Sequence, residues 1–308
     1  MTVTPLISII TINYNSLKVT CEFLESTKRL QYDNFEIIVI DNASQEDPTE
    51  VISSRFPEVN LIVNSKNLGF TGGNNTGMAI AKGDYFFIVN NDTEVTDNLL
   101  DELLKPFHKD ASIGVVSPKI KYFAHPNIIQ YAGFTEINPI TGRNKTIGDK
   151  ENDQGQHDTP GYTSYAHGAA MFLKKEVVEK TGMFADIFFL YYEELDWSAR
   201  IQRAGFRIYY QPSAVIYHKE SISVGKTSTL KTYYLTRNRI LFMRRNIDGV
   251  YKLIWPLFLI LFSIPKNSIQ FFVSGKLDHL QAFWKAVIWN LQHLKSGAKI
   301  SLFNNINK

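Results

Sequence analysis

Apolar runs of strand length recur along the first third of the chain, and each stops at a polar cluster. Leu6 to Ile12 (LISIITI) is a β-branched run that breaks at Asn13-Tyr14-Asn15-Ser16, after which Leu17, Cys21 and Leu24 fall on one helical face. Phe35 to Ile40 repeats the plan, stops at Asp41-Asn42-Ala43-Ser44 and passes into a short acidic helix ending near Phe56-Pro57; Asn60 to Val63 is a third short strand. Tyr85 to Val89 (YFFIV) shows no alternation, so both of its faces must be covered, as in a central parallel strand between helix layers. Such units predict an α/β fold with a mostly parallel sheet whose polar loops collect along one edge. Asp41 and Asp92 would be neighbours there.

Beyond the central strand the pattern is less regular. Thr96 to His108 reads as an amphipathic helix with Leu99, Leu100, Leu103 and Phe107, and Gly114 to Ser117 as a short strand. Residues 148 to 161 (GDKENDQGQHDTPG) are polar and aperiodic, which marks a mobile surface loop serving either as a lid or binding loop or as a solvated connector. His167-Gly168-Ala169-Ala170 places small residues where backbone approaches a ligand or another strand. From Glu193 a helical pattern sets Glu194, Trp197 and Ile201 on one side and ends at Gly205.

Composition narrows the setting. One cysteine, Cys21, excludes an internal disulfide framework and a multi-cysteine zinc site, and the first residues lack the basic start and long apolar core of a signal peptide, so a reducing cytosol is expected. The net charge of +3 conceals an asymmetry: residues 1–218 hold 19 Lys/Arg against 27 Asp/Glu, while residues 219–308 hold 14 against 3.

Three clusters carry candidate chemistry. Asn90, Asn91, Asp92 and Glu94 follow the central strand, where open α/β sheets bind ligands, and suit a hard divalent cation carrying phosphate oxygens; an Asn/Asp turn before a helix gives the same residues. Residues 64 to 77, with four glycines, are either a backbone cradle for a diphosphate or a flexible loop. Glu193 and Glu194 lie in the first turn of a helix whose dipole favours their charged form, as a general base requires, although acids also commonly fill such positions. Asp196 stands four residues before Arg200, the spacing of an ion pair.

The ordered set TINYN, IDNAS, NLGFTGGNN, NND, FFLYYEELDW and VIYHK resembles inverting glycosyltransferases of family 2 with the GT-A fold, and in particular bacterial rhamnosyltransferase-like members, over about residues 5 to 245. The resemblance implies a Rossmann-like catalytic domain over residues 1–230, with a nucleotide-sugar half to about 117 and an acceptor half from about 118. Residues 231–308 would be a helical extension. It implies that Thr11, Asn13 and Tyr14 flank the base and ribose of a nucleotide sugar and that Asp41 bonds the pyrimidine edge. The glycine-stretch residues Asn67, Gly72, Gly73 and Asn74, with Asn90 and Asn91, complete the donor set. Asp92 and His218 would hold Mg2+ or Mn2+. Glu194 is the implied catalytic base, with Glu193 and Asp196 as alternatives. The implied reaction is a single displacement from a nucleoside-diphosphate sugar, dTDP-rhamnose being one such donor, to a glycan or polyprenyl-linked acceptor. A nucleotidyltransferase would want a basic glycine-rich loop after the first strand, where Asn13-Tyr14-Asn15-Ser16 supplies none. A non-catalytic scaffold is the reading from another class.

The C-terminal segment reads YYLTRNRILFMRRN, then LIWPLFLILFSI over residues 253–264, then QAFWKAVIWNLQHL. The apolar run is shorter than the ~20 residues of a helical span. Apolar and aromatic residues among cations suit a segment lying on an anionic membrane surface, which predicts a cytoplasmic protein peripheral on the inner face of the membrane. The alternative is a pair of helices packed on the catalytic domain, with Arg237, Arg239, Arg244 and Arg245 solvated. No nucleic-acid module is recognisable.

Overall fold

A computed structural model of the chain describes residues 4–219 and 228–294. They form two units, one comprising residues up to 135 together with 146–219, the other the hairpin 136–145 together with 228–294.

The first unit opens with the alternation expected. β1 (Ile7–Asn13) leads to α1 (Leu17–Thr27), β2 (Phe35–Asp41) to α2 (Thr49–Arg55), β3 (Val59–Val63) to α3 (Gly69–Ile80), and β4 (Tyr85–Val89) completes a parallel set in the order β3-β2-β1-β4. Asn13 pairs in register with Asp41, so the polar strand ends are level. After these come β5 (Thr93–Val95), α4 (Leu99–Lys109), β6 (Ile113–Tyr122), β7 (His125–Tyr131), β8 (Gly161–Tyr162), β9 (Ala170–Lys174), α5 (Lys175–Thr181), α6 (Glu193–Arg203) and β10 (Arg207–His218). β9 runs antiparallel between β4 and β6, while β10 pairs in parallel with β6 and antiparallel with β5. The missing alternation in β4 has its cause here: Phe87 and Val89 enter the core on one face of the sheet, Phe86 and Ile88 the core on the other.

Two expectations change. The glycine stretch is neither an open loop nor a free phosphate cradle, because from Gly69 it is the helix α3. A Cβ on Gly73 would stand 2.7 Å from Ile12 Cδ1, and one on Gly77 would overlap Ile10 Cγ2, so these glycines let α3 lie against β1. The first free amides of α3, those of Phe70 and Thr71, already donate to the carbonyl of Phe189 at 2.7 and 3.3 Å. The 148–161 loop, expected to be mobile, is pinned: buried Lys119 is ion-paired with Asp153 at 3.2 Å and with Asp158, and Lys121 reaches Asp153 at 2.8 Å. Four charges joined this way hold a segment that has no apolar anchor of its own.

The second unit holds α7 (Thr229–Asn246), α8 (Tyr251–Phe258), a π turn (Leu259–Ser263), α9 (Ile264–Val273) and α10 (Leu277–Gln292). Arg237, Arg239 and Arg245 are buried, and Arg244 donates to the carbonyls of Asn290 and His293 at 3.1 and 2.8 Å, closing the end of α10. These arginines are therefore packed within the unit rather than solvated. The 12-residue apolar run sits inside a continuous helical stretch, Tyr251–Val273, of 23 residues, long and apolar enough to cross a membrane by length and composition alone.

Candidate active site

The end of β4 carries one acid among amides. Asn91 Nδ2 is committed inward, donating to Thr20 Oγ1 at 2.8 Å, and the Asn90 amide donates to Ala169 O at 3.0 Å. Asp92 is brought to His218 by the pairing of β5 with β10, in which Thr93 stands opposite His218, and by the Lys219 amide, which donates to Asp92 O at 2.8 Å. Asp92 Oδ1 and His218 Nε2 face each other at 3.1 Å without hydrogen-bond alignment, and neither atom has another partner. Two buried orphan atoms of these types, a carboxylate oxygen and an imidazole nitrogen, fit a divalent cation. No group of three or more His, Cys, Asp or Glu side chains suited to a metal occurs among the described residues, so the remaining coordination positions would fall to phosphate oxygens and water.

Gln130 on β7 completes this end, and nothing in its sequence neighbourhood (NIIQY) marks it. Its Oε1 lies 2.8 Å from His218 Nδ1. An amide oxygen only accepts, so the proton sits on Nδ1 and the Nε2 lone pair is left facing Asp92. His167, whose ring centroid is 6.4 Å from that of His218, is stacked on Phe134, and burial pushes its pKa down to about 3. It is a neutral wall of the site.

The carboxylates enter from a strained loop. Phe189, Tyr191 and Tyr192 have φ of 64°, 69° and 70°, each at a cost of about 1–3 kcal/mol for a side chain of this size. The Phe189 carbonyl that caps α3 is part of what holds the loop in place. Glu193 is buried and Glu194 half-buried at the start of α6, and the Oε2 atoms of both lack a partner. Gly168 lies against Glu194, since a Cβ there would stand 3.8 Å from Glu194 Cδ, an ordinary contact. Burial raises Glu194 to about 7, against the pull of the amides of Glu194, Leu195 and Tyr192. Burial also raises Glu193 well above the usual carboxylate range, helped by the charge of Glu194. Desolvation thus outweighs the helix dipole that favours the charged form, and Glu194 is poised near neutrality. Asp196 pairs with Arg200 Nε at 3.1 Å, and the same guanidinium holds the carbonyls of Thr181 and Met183, so Asp196 is a tether.

At the donor end a buried relay joins three strand ends. Asp41 accepts from Asn13 Nδ2 at 2.7 Å and from Ser44 N at 2.9 Å, and Asn13 Oδ1 accepts from Thr20 Oγ1 at 2.8 Å, which in turn accepts from Asn91. Thr11 and Asn13, expected to flank base and ribose, are wholly closed to solvent, and Asn74 donates to Phe70 O inside α3. They brace the site from beneath. Gly73 likewise faces β1. Tyr14 and Asn67 are exposed, and Gly72, Asn90 and Asp92 partly so, while Asp41 shows only 1% of its surface.

The family described as Glycosyl transferase family 2 matches residues 8–182. An uncharacterized protein of Sinorhizobium fredii, y4gI, is 26% identical over 259 residues, 79% of this chain and 27% of that protein. The low-salt glycan biosynthesis hexosyltransferase Agl10 of Haloferax volcanii is 25% identical over 214 residues, 67% of this chain and 66% of that one. An N-acetylglucosaminyl-diphospho-decaprenol L-rhamnosyltransferase of Mycobacterium tuberculosis is 22% identical over 245 residues, 72% and 79% of the two chains. The chain thus spans about a quarter of the first relative and two thirds of the second. Among solved structures, GalNAc-T7 with UDP, GalNAc and Mn2+ superposes with a TM-score of 0.60 over 83% of this chain and 54% of that one. A mannosyltransferase from Pyrobaculum calidifontis in complex with GDP-Man and Mn2+ gives 0.56 over 98% and 82%. Both are 17% identical, a likeness that carries the fold alone.

Proposed function

This chain belongs to glycosyl transferase family 2, and from that premise we propose that it moves a hexosyl group from a nucleoside-diphosphate sugar to a hydroxyl of a glycan or lipid-linked acceptor, inverting the anomeric carbon in one displacement. The observation that carries the reading is that the orphaned Asp92 and His218 atoms and the orphaned Glu194 carboxylate, raised to about 7, meet the two ends of one segment, His167 facing His218 and Gly168 facing Glu194.

The residues divide the work. Asp92 and His218 hold Mg2+ or Mn2+, with Gln130 setting the tautomer of His218; the cation, when bound, neutralises charge on the departing diphosphate. Tyr14, Asn67 and Asn90 line the nucleotide sugar, over the Asp41–Asn13–Thr20–Asn91 relay. Glu194 accepts the proton of the acceptor hydroxyl as its oxygen attacks the anomeric carbon, opposite the leaving group. A base of pKa near the working pH is ionised often enough to act and basic enough to take the proton. Glu193, more deeply buried, has its carboxyl raised well above the usual range by burial and by the charge of Glu194, which disfavours a second charge in the site. Alignment of hydroxyl, carbon and leaving oxygen supplies much of the rest of the rate.

The likeness to the mycobacterial enzyme makes dTDP-rhamnose the first donor to try and a lipid-linked sugar the first acceptor. The exposed apolar stretch Tyr251–Val273 supports work at a membrane surface. The test is transfer of labelled sugar into lipid extract, followed by proton NMR of the new linkage. An anomeric configuration opposite to that of the donor is expected; retention, or label released only to water, would defeat the reading.

A further inference from the structure

We infer that the second unit carries a site for the phosphate group of a phosphorylated lipid, in a cavity of about 440 Å3 lined by Arg143, Arg239, Lys266, Asn267, Phe258 and Phe262. The inference deepens the membrane-surface part of the proposed function and rests on it. Three elements of one unit build the cavity. The hairpin 136–145 turns on Asn138, whose Oδ1 accepts from the amides of Ile140 and Thr141 at 3.0 Å each. Gly142, at φ 65°, lets the turn press on α7, since a Cβ there would stand 2.9 Å from Met243 Cγ. That contact delivers Arg143. From α7, buried Arg239 donates to Ser263 Oγ at 3.2 Å and ties down the π turn. Lys266 follows on α9.

Charge decides what such a cavity takes. Among the described residues neither Arg143 nor Lys266 has an acidic partner, and around them stand amides, hydroxyls and aromatic rings. Arg143 and Lys266, converging on one notch with no acid among its lining residues, repel each other until an anion enters, and a phosphate offers several charged oxygens to a guanidinium and an ammonium together. The surroundings decide what the phosphate is attached to. Phe258 and Phe262 stack at 5.8 Å beside the cations, and Leu257, Ile260, Leu261 and Phe262 stand 59–62% exposed on the same helical stretch. A free anion would leave that apolar surface in water, whereas a lipid fills the notch with its headgroup and covers the surface with its chains. Lys266 can keep its ammonium at headgroup depth while its stem lies among apolar neighbours.

The experiment uses the full chain and vesicles of phosphatidylcholine mixed with either phosphatidic acid or phosphatidylglycerol, matched in surface charge. The exposed phosphomonoester should be preferred by about tenfold, since charge-assisted bonds to it are the stronger. Arg143→Gln with Lys266→Gln should erase that preference. Lys276→Gln with Lys285→Gln removes the same charge outside the cavity, and should weaken binding to both vesicles while keeping the preference. Equal binding of the unaltered chain to both vesicles, or a preference that survives loss of Arg143 and Lys266, overturns the site. Competition by inorganic phosphate alone, at a concentration matched to the lipid phosphate, overturns the lipid assignment. Donor-induced thermal stabilisation, measured on the same samples, reports the first unit separately, so failure of the lipid site and failure of the proposed function give different records.

Discussion

Glu194→Gln should remove transfer and make the protein more stable. The side chain keeps its shape and an oxygen for the helix-start amides, so donor binding should change little. Loss of a positioned general base typically costs about 10²- to 10⁴-fold in rate, or roughly 3–5 kcal/mol in the barrier. The stability term has the opposite sign. The folded-state pKa of Glu194 is raised from 4.5 to about 7, so the folded chain binds the proton more tightly than the unfolded one. Stability is therefore fully present below 4.5 and is lost as pH rises towards 7, by about 3 kcal/mol at 1.36 kcal/mol per unit. Glutamine never ionises and escapes this loss, and it also frees buried Glu193 from a like charge. Urea unfolding of both proteins at pH 5 and pH 8 measures it: the variant should gain most at pH 8 and show a flatter pH profile, with kcat at least a hundredfold down. An active variant, or one less stable at pH 8 than the unaltered chain, would refute the reasoning.

Gln130→Leu should leave the His218 tautomer unfixed and weaken Mn2+ binding about 10- to 100-fold, read by Mn2+ titration and by the nitrogen shifts of the imidazole; Gln130→Glu, which keeps the acceptor, should restore the tautomer. Unchanged Mn2+ affinity in the leucine variant would free Gln130 of this role. Gly77→Ala should lower the melting temperature by overpacking α3 on Ile10, at about 1–3 kcal/mol, despite alanine's better helix propensity. A higher melting temperature would mean that α3 does not lie this close to β1.

What could be read from the sequence was local. The unalternating Tyr85–Val89 run has a buried strand as its plain solution, and Asp196 with Arg200 needs only helical spacing to find its partner. Depth was the harder quantity. The motif order places Thr11 and Asn13 at the correct strand end, yet only the packing of α1 shows that both are sealed beneath the surface. The glycines of α3 argue against a helix by propensity, and contact with β1 overrides them. The arginines of α7 look like a surface charge cluster because the partner that buries them, α10, lies about 50 residues further on. Gln130 carries no signal in a single sequence, since its role depends on β7 passing beside the end of β10. The raised pKa of Glu194 is hidden for a similar reason: a helix start can be read from the chain, whereas the desolvation that outweighs it cannot.

The most direct measurement is the thermal stability of the purified chain against a panel of nucleotide sugars, dTDP-rhamnose among them, with Mn2+, with Mg2+ or with EDTA. A ligand that binds only the folded state raises stability with its concentration over Kd. One donor should stabilise the unaltered chain and Glu194→Gln alike, should need the cation, and should fail with Asp92→Asn. A folded chain that responds to no donor, or one stabilised equally in EDTA, would contradict a metal-assisted nucleotide-sugar site at Asp92 and His218.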